Sequence, residues 1–212
     1  MGFRSPPKPT LQHDYYLVID LEATCCDLNN LPKSRITIPK YETETIEIGA
    51  VMADALTFEP VDQFSTFVRP VRHPELTEFC TELTTIKQSD LADAPLFPQA
   101  LSDLTEWADQ FSGYLFCSWG NYDRRQFEQD CHYHRIAYPF RGGHVNLKFQ
   151  FTEQHQLAEH CHMEAALERT QLPLVGTHHR GIDDARNMVR MLPWVFGNES
   201  LPPARSDLDR QV

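Results

Sequence analysis

The segment YYLVIDLEAT, from Tyr15 to Thr24, decides the fold. It is apolar on both faces as far as Asp20, which predicts a strand buried in the centre of a sheet. Because side chains alternate along a strand, Asp20 and Glu22 share one face. Unpaired acids are costly to bury, so the pattern leaves two explanations open. The pair either binds a cation or consists of solvated acids at the strand end.

The rest of the chain adds strands first and then mostly helices. Glu44–Asp54 and Gln63–Arg69 have the character of strands, and the short gap between them favours an antiparallel connection. Such an order predicts an α/β fold with a mixed sheet flanked by helices. The later elements are predicted as a short helix capped at Ser89 or Asp90, helix 97–111, strand 114–119, helix 123–134, a short strand within 144–151, helix 157–169, and helix 183–195, which Pro193 ends early.

Length and composition favour one domain. The 212 residues suit a medium α/β domain, which we place at residues 14–197 between a disordered lead, 1–13, and a polar tail, 198–212. No run of about 18 apolar residues occurs, so no membrane span is expected. The lead lacks the apolar region of a secretory signal. Six cysteines without a paired spacing favour free thiols in a reducing compartment, and we expect a cytoplasmic protein.

The formal net charge of −11 limits the kinds of partner. Phosphate contacts by basic residues dominate the binding of long nucleic acids, so such a charge argues against broad wrapping of a nucleic acid. It is compatible with an enzyme that holds one strand end through bound cations. An equally good explanation is that the charge keeps the protein soluble.

Two further segments carry candidate acids. Asp123 follows the predicted strand 114–119, at the carboxyl end where α/β proteins tend to bind ligands, but it could equally cap the helix that it begins. His178–Asp184 offers two histidines and two aspartates before the last helix. One aspartate can cap that helix while the other faces the sheet. A neutral histidine, with a pKa of about 6.5, can accept a proton from water, although both could be ordinary loop residues.

Converging carboxylates define the chemistry to expect. Three or four of them, without cysteine ligands, favour hard cations such as Mg²⁺ or Mn²⁺. Two such ions about 4 Å apart can activate a water molecule and stabilise the leaving oxygen of a phosphodiester. They would also offset the repulsion between an acidic protein and a phosphate.

Three motifs, VIDLEAT, SWGNYD and HHRGIDDARN, begin at Val18, Ser118 and His178. Together they resemble the motifs of the DEDDh 3′–5′ exonucleases, which have the ribonuclease H-like fold, and most closely those of the enhanced-RNAi (ERI) branch. The resemblance covers about residues 14–195. It implies a five-stranded mixed sheet in the order 3-2-1-4-5, with one antiparallel strand and flanking α-helices.

The resemblance also implies the catalytic residues. His179, five positions before Asp184, matches the catalytic histidine, which acts as the general base. His178 and Asp183 have the same spacing one step earlier, and the Asp184-Ala185-Arg186 register favours the later pair. The metal ligands of the family correspond to Asp20, Glu22, Asp123 and Asp184.

A nucleotide pocket is implied as well. The backbone at Leu21 and Ala23 is expected to meet the terminal ribose, and Leu83 and Thr84 to line the same pocket. Tyr122 occupies a position that is often tryptophan in this branch. Stacking of a base there is worth about 1–3 kcal/mol, and a packing role for Tyr122 is the alternative.

One position departs from the family pattern. The family usually has glycine in the third position of the segment that reads Leu83-Thr84-Thr85-Ile86 here. Because a β-branched residue resists a positive φ, Thr85 predicts a different turn at this point.

The function implied is hydrolysis of single-stranded nucleic-acid 3′ ends, with RNA favoured, releasing nucleoside 5′-monophosphates. Two Mg²⁺ ions would be the cofactors, and Mn²⁺ is expected to substitute for them. The same chemistry on DNA ends or very short oligonucleotides is an alternative. A non-catalytic regulatory or binding protein on the same fold is an alternative of another class. The sequence identifies no protein partner.

Overall fold

The computed structural model describes residues 13–28, 30, 32 and 37–203. Five strands form one sheet in the order β3-β2-β1-β4-β5. β2 runs antiparallel to β1 and β3, while β1, β4 and β5 are parallel. The predicted mixed sheet with one antiparallel strand is therefore confirmed. The strands are β1 (Tyr15–Ala23), β2 (Thr45–Asp54), β3 (Pro60–Phe67), β4 (Tyr114–Ser118) and β5 (His144–Asn146).

Seven helices occur in the described part of the chain. They are α1 (Glu78–Thr84), α2 (Gln88–Leu91), α3 (Phe97–Ala108), α4 (Tyr122–His134), α5 (Leu147–Gln154), α6 (Met163–Thr170) and α7 (Gly181–Val195). The sequence did not predict α1. The predicted lead and tail fall largely outside the described residues.

The short strand predicted within 144–151 is confirmed as β5, and residues 147–151 are helical because the Asn146 side chain accepts a hydrogen bond from the Phe149 N–H and begins α5. Two other predicted elements were wrong in detail. The next helix begins only at Met163, since Gln156 adopts a left-handed conformation after α5. Pro193 does not end α7 early: it cannot donate to the Val189 carbonyl oxygen, but the helix continues to Val195, and the Phe196 N–H donates to the Leu192 carbonyl oxygen at 2.9 Å.

Alternation along β1 divides the core into two layers. Leu17, Ile19 and Leu21 face one side and pack with residues of α3 and α4. Tyr16 and Val18 face the other side and pack with residues of α5, α6 and α7. By the same alternation, Asp20 and Glu22 face the side that α7 covers. No helix among the described residues has the length and apolar character to span a membrane.

Candidate active site

A cavity of about 520 Å³ opens at the carboxyl end of β1. Six separate stretches of chain contribute to it: the end of β1, α1, the turn from β4 into α4, the start of α5, the start of α6, and the segment that leads into α7. The cavity contains every acid and histidine that the sequence predicted for the site. Its lining includes Asp20, Leu21, Glu22, Ala23, Leu83, Tyr122, Asp123, His178, His179 and Asp184.

Three of the acids lie close enough together to share a cation. One carboxylate oxygen each of Asp20, Glu22 and Asp184 falls within 4.8 Å of the others. Strand alternation brings Asp20 and Glu22 to this point, and the first turn of α7 supplies Asp184. Neither Asp20 nor Glu22 accepts a hydrogen bond from any side chain or backbone group that the structure describes. Both therefore keep all of their oxygen lone pairs available to a ligand.

Asp123 joins the site from α4. It is 4% exposed, and its Oδ1 accepts a hydrogen bond from the Leu21 N–H at 3.1 Å. The N-cap of α4 is Asn121, so the alternative in which Asp123 only caps this helix is wrong. The hydrogen bond links the second motif directly to the first. Asp123 lines the same cavity but lies outside the 4.8 Å group of the other three acids.

Burial makes this group of acids electrostatically unfavourable. Burial, followed by the neighbouring carboxylates, raises the pKa of Asp20 and of Glu22 well above the ordinary range. Burial also raises the pKa of Asp123 to about 6 and raises that of Asp184. A cation would relieve both the burial cost and the mutual repulsion. Oxygen ligands without thiolates fit a hard divalent cation such as Mg²⁺ or Mn²⁺.

The two histidines occupy different environments. His178 Nδ1 lies 2.9 Å from Asp184 Oδ2, and its Nε2 lies 3.6 Å from Glu164 Oε2. The His179 ring stacks on that of His178, with the ring centroids 3.9 Å apart, and hydrogen-bonds to none of the described residues. Burial lowers the pKa of His179, which keeps its ring neutral near pH 7. Of the two rings, that of His179 is the one free to accept a proton.

The predicted substrate-binding residues divide into two groups. Leu21, Ala23, Leu83 and Tyr122 line the cavity, and Tyr122 is 47% exposed, which leaves its ring accessible for stacking. Thr84 does not reach the cavity. It is fully buried, and its hydroxyl donates to the Cys80 carbonyl oxygen at 2.8 Å within α1. The prediction for Thr84 was therefore wrong.

Thr85 adopts the conformation that its side chain was expected to prevent. It is the C-cap of α1 with φ 61° and ψ 2°, in the left-handed region, and its N–H donates to the Thr81 carbonyl oxygen. The backbone hydrogen bond and the packing of α1 thus override the preference of a β-branched residue. The expected change of turn was wrong, and Thr85 carries local strain instead.

The cavity also has lining residues that the sequence did not predict for the site, and Lys148 and Trp119 are two of them. Lys148, in the first turn of α5, is the only lysine or arginine among the cavity residues in the described chain. The sequence did not indicate Lys148 as a site residue, because a short strand was predicted in this segment. Trp119 is half-buried, packs against the core and lines the cavity, and its indole N–H donates to the Cys161 carbonyl oxygen at 3.1 Å.

Comparison with known proteins gives the family. A family model described as Exonuclease matches residues 17–192. The chain belongs to this family. Human 3′-5′ exoribonuclease 1 is 28% identical to this chain over 187 residues, which cover 84% of the chain and 51% of that protein. Mouse ERI1 exoribonuclease 3 is 31% identical, over 88% of the chain and 55% of that protein. The chain thus spans about half the length of these curated relatives.

Solved structures confirm the fold and the DEDDh resemblance. The nuclease domain of 3′hExo, a DEDDh family member bound to rAMP, superimposes with a TM-score of 0.77 at 25% identity. The match covers 90% of this chain and 97% of that one. A second structure, of a 3′-exonuclease that recognises the histone mRNA stem-loop, gives a TM-score of 0.76 at 26% identity over 87% of this chain and 65% of that one. This chain is thus an ERI-type member of the DEDDh exonucleases.

Proposed function

We propose that the chain hydrolyses phosphodiester bonds at single-stranded 3′ ends, with RNA favoured, and releases nucleoside 5′-monophosphates with the help of two Mg²⁺ ions. One observation carries the proposal: acids of β1, α4 and α7 converge in a single cavity with a neutral histidine and an accessible tyrosine ring. Relatives described as exoribonucleases, and a homologous nuclease domain bound to rAMP, support RNA as the substrate class.

The four acids would hold the cations. Asp20, Glu22 and Asp184 offer oxygens within 4.8 Å of one another, and Asp123 borders the same space. Bound Mg²⁺ would supply water activation and stabilisation of the negative charge that develops on the phosphate. The site thereby gains the positive charge that an acidic chain needs to bind a phosphodiester.

His179 would act as the general base. Its ring is neutral near pH 7, lines the cavity and is free of hydrogen bonds to the described residues, so a ring nitrogen can take the proton of the attacking water. The contacts of His178 with Asp184 and Glu164 suit it to orient Asp184. Tyr122 would stack on the terminal base, and the backbone at Leu21 and Ala23 would border the ribose.

Incubation with matched 3′-labelled RNA and DNA oligonucleotides tests this proposal. We expect Mg²⁺-dependent release of labelled nucleoside 5′-monophosphate, faster from RNA than from DNA, and its loss with a chelator or in Asp20→Ala. Equal or faster release from DNA would favour the alternative in which DNA ends are the substrate. Absence of release from both, with the protein folded, would favour the non-catalytic alternative.

Two matched variants test the choice of histidine. His179→Ala should reduce turnover about 100-fold to 10,000-fold, the usual range for loss of a general base, while Mn²⁺ binding persists. His178→Ala should have a smaller effect, because His178 contacts Asp184 rather than the attacking water. The reverse ranking would assign the base to His178.

We also propose a cytoplasmic location, because all six cysteines are free thiols. Cell fractionation followed by immunodetection tests it. Recovery of the protein mainly outside the cytosolic fraction would contradict this proposal.

A further inference from the structure

A further acid, Glu47, is buried beside the four acids of the cavity but does not line it. It stands on β2 directly opposite Glu22 of β1, and it is 1% exposed. Protein donors occupy both of its oxygens. Arg180 Nε donates to Oε2 at 3.0 Å and Arg180 Nη2 donates to Oε1 at 3.1 Å, while the Gly181 N–H donates to Oε2 at 3.1 Å. Glu47 therefore binds the segment that leads into α7 rather than a cation.

That segment connects two residues of the site. Arg180 follows His179 directly and is the N-cap of α7, and its carbonyl oxygen accepts the Asp184 N–H at 2.9 Å. The His179 N–H in turn donates to Asp184 Oδ2 at 3.0 Å. Hydrogen bonds thus join the backbone of residues 179–181 to Asp184 on one side and to Glu47 on the other.

The backbone of His179 needs such support. Its φ of 61° lies in the left-handed region, which is unfavourable for a residue other than glycine. Conformations of this kind persist where the surrounding structure holds them in place. The residue that follows His179 is held by a charged, bidentate contact between Arg180 and Glu47.

Glycine packing fixes where α7 begins. A Cβ built on Gly49 of β2 would lie 2.0 Å from the Gly181 carbonyl carbon, and one built on Gly181 would lie 3.0 Å from the Asp20 carbonyl oxygen. The two backbones are therefore in direct contact beside Asp20. Glycine contact sets the distance of α7 from the sheet, and the hydrogen bonds of Glu47 then fix the direction in which the chain enters the helix.

Arg180 itself points away from the cavity. Its guanidinium carbon lies 5.4 Å from the centre of the Phe67 ring, at the end of β3, and it does not line the cavity. A direct contact with the substrate phosphate is therefore not the role that this geometry supports.

We infer that Glu47 and Arg180 are positioning residues that hold the proposed general base, His179, in register with the acids of β1. They act through the backbone of residues 179–181 and contact neither substrate nor cation. The inference rests on the proposed role of His179 as general base, and it predicts that weakening the pair slows turnover without weakening binding.

Steady-state hydrolysis of a 3′-labelled RNA oligonucleotide with Mg²⁺ tests the pair. Glu47→Gln replaces one acceptor oxygen with an amide donor, and Arg180→Lys keeps the charge but loses the two-pronged contact. We expect kcat to fall roughly 100-fold in Glu47→Gln, the scale expected of a catalytic group displaced by about 1 Å, and less in Arg180→Lys. KM and the Mn²⁺-dependent binding of a nucleoside monophosphate, measured by calorimetry, should stay within about twofold by the same reasoning.

Arg186→Gln is the matched control. Arg186 lies on the same helix, pairs with Asp183 at 3.0 Å and donates to Gln63 of β3, but has no contact with residues 179–181. The substitution removes an arginine of α7 together with its contact to the sheet, and we expect kcat to stay unchanged.

The outcomes separate the inference from the proposed function. Folded Glu47→Gln and Arg180→Lys proteins with the kcat of the wild type would overturn the inference, and so would a loss expressed equally in KM and nucleotide binding. If Glu47→Gln does not fold, Arg180→Lys decides, because its partly exposed side chain tolerates replacement. Failure of the proposed function would show elsewhere, as an inactive wild type or a fully active His179→Ala, and would overturn the inference with it.

Discussion

Buried or partly buried acids occur on β1 and on or beside β2, and the protein provides for them differently. Immediately before β2, Glu44 accepts hydrogen bonds from the N–H groups of three successive residues, 71–73, each at 2.8 Å. Further along β2, Glu47 is bound by Arg180 and Gly181. On β1, Asp20 and Glu22 accept no hydrogen bond from any residue within the described ranges.

The difference separates structural acids from functional ones. A buried carboxylate is stable when donors of the protein compensate it, as they do on β2. Without such donors, burial and repulsion raise the pKa of Asp20 and Glu22, and the folded protein bears the cost. Acids retained at that cost are candidates for ligand binding, because a cation supplies the compensation that the chain does not.

Removal of a β1 acid should give the largest effect on activity. We expect Asp20→Asn to reduce kcat on the order of 1,000-fold, since metal ions contribute several kcal/mol to transition-state stabilisation. The metal-free variant should unfold at the same or a higher temperature than the wild type, because one repelling charge is gone. Turnover assays and thermal denaturation measure the two effects. An active variant, or one that is strongly destabilised, would place Asp20 with the structural acids.

The equivalent change next to β2 should act on stability. Glu44→Gln replaces an acceptor oxygen with an amide donor facing backbone N–H groups, and we expect a loss of about 3 kcal/mol in the free energy of unfolding. For a domain of this size, the melting temperature should fall roughly 6–12 °C. Below the transition, kcat should match that of the wild type. A loss of kcat with unchanged stability would contradict the division between the two strands.

Stability should also depend on pH through the cavity acids. Burial raises the pKa of Asp123 to about 6. An acid with a raised folded-state pKa stabilises the fold below its unfolded pKa of about 4, and this contribution disappears as the pH rises through the folded value. Metal-free protein should therefore lose about 1–2 kcal/mol of Asp123-dependent stability between about pH 5 and about pH 7.5.

Thermal denaturation at the two pH values checks this expectation. Asp123→Asn serves as the control, because it removes the contribution of Asp123 while other titrating groups remain. Added Mg²⁺ or Mn²⁺ should raise the melting temperature more at the higher pH, where the acids are ionised and available as ligands. Wild type and Asp123→Asn with parallel pH profiles would show that burial of Asp123 carries no such cost.

The sequence predicted the parts of the site that depend on local periodicity. Alternation along β1 was sufficient to place Asp20 and Glu22 on one face, and the motif spacing placed His179 five residues before Asp184. The family resemblance supplied the strand order, which local patterns do not specify because it depends on pairing between distant segments.

The remaining features depend on contacts that the sequence does not display. The partners Glu47 and Arg180 are 133 positions apart, and nothing in the local pattern of either residue indicates the other. Thr84 was assigned to the pocket by resemblance, but its hydroxyl bonds within α1. Lys148 was hidden because an asparagine cap, rather than apolar periodicity, ends β5 and begins α5.

Lys148 offers a finer comparison, because it is the one lysine or arginine that faces the β1 acids among the described cavity residues. Its ammonium group forms no ion pair within the described chain, so it is available to a substrate phosphate. We expect Lys148→Met to raise KM up to about tenfold, or about 1.4 kcal/mol, with a small change in kcat. Lys148→Arg should retain most of the affinity, and Lys87→Met, outside the cavity, should have no effect. An unchanged KM in Lys148→Met would exclude this contact.

The smallest predicted effect concerns the backbone strain at Thr85, which has no role in compensating the acids. Thr85 holds a left-handed conformation, worth about 1–2 kcal/mol of strain, whereas glycine adopts it freely but loses about 0.5–1 kcal/mol more backbone entropy on folding. Thr85→Gly should therefore stabilise the protein by up to about 1 kcal/mol, or about 2–4 °C in melting temperature. Gln171→Gly is the control, because Gln171 ends α6 in the same conformation without β-branching and should gain less.

Activity measurements distinguish the backbone strain at Thr85 from the electrostatic cost of Asp20 and Glu22 on β1. Thr85 does not line the cavity, so Thr85→Gly should keep the kcat and KM of the wild type while its melting temperature rises. Asp20→Asn, by contrast, should lose activity even if its metal-free stability increases. Lower activity in Thr85→Gly would show that the strained backbone of Thr85 helps to position the cavity residue Leu83. The strain at α1 would then contribute to function, as the unfavourable electrostatics of the β1 acids do.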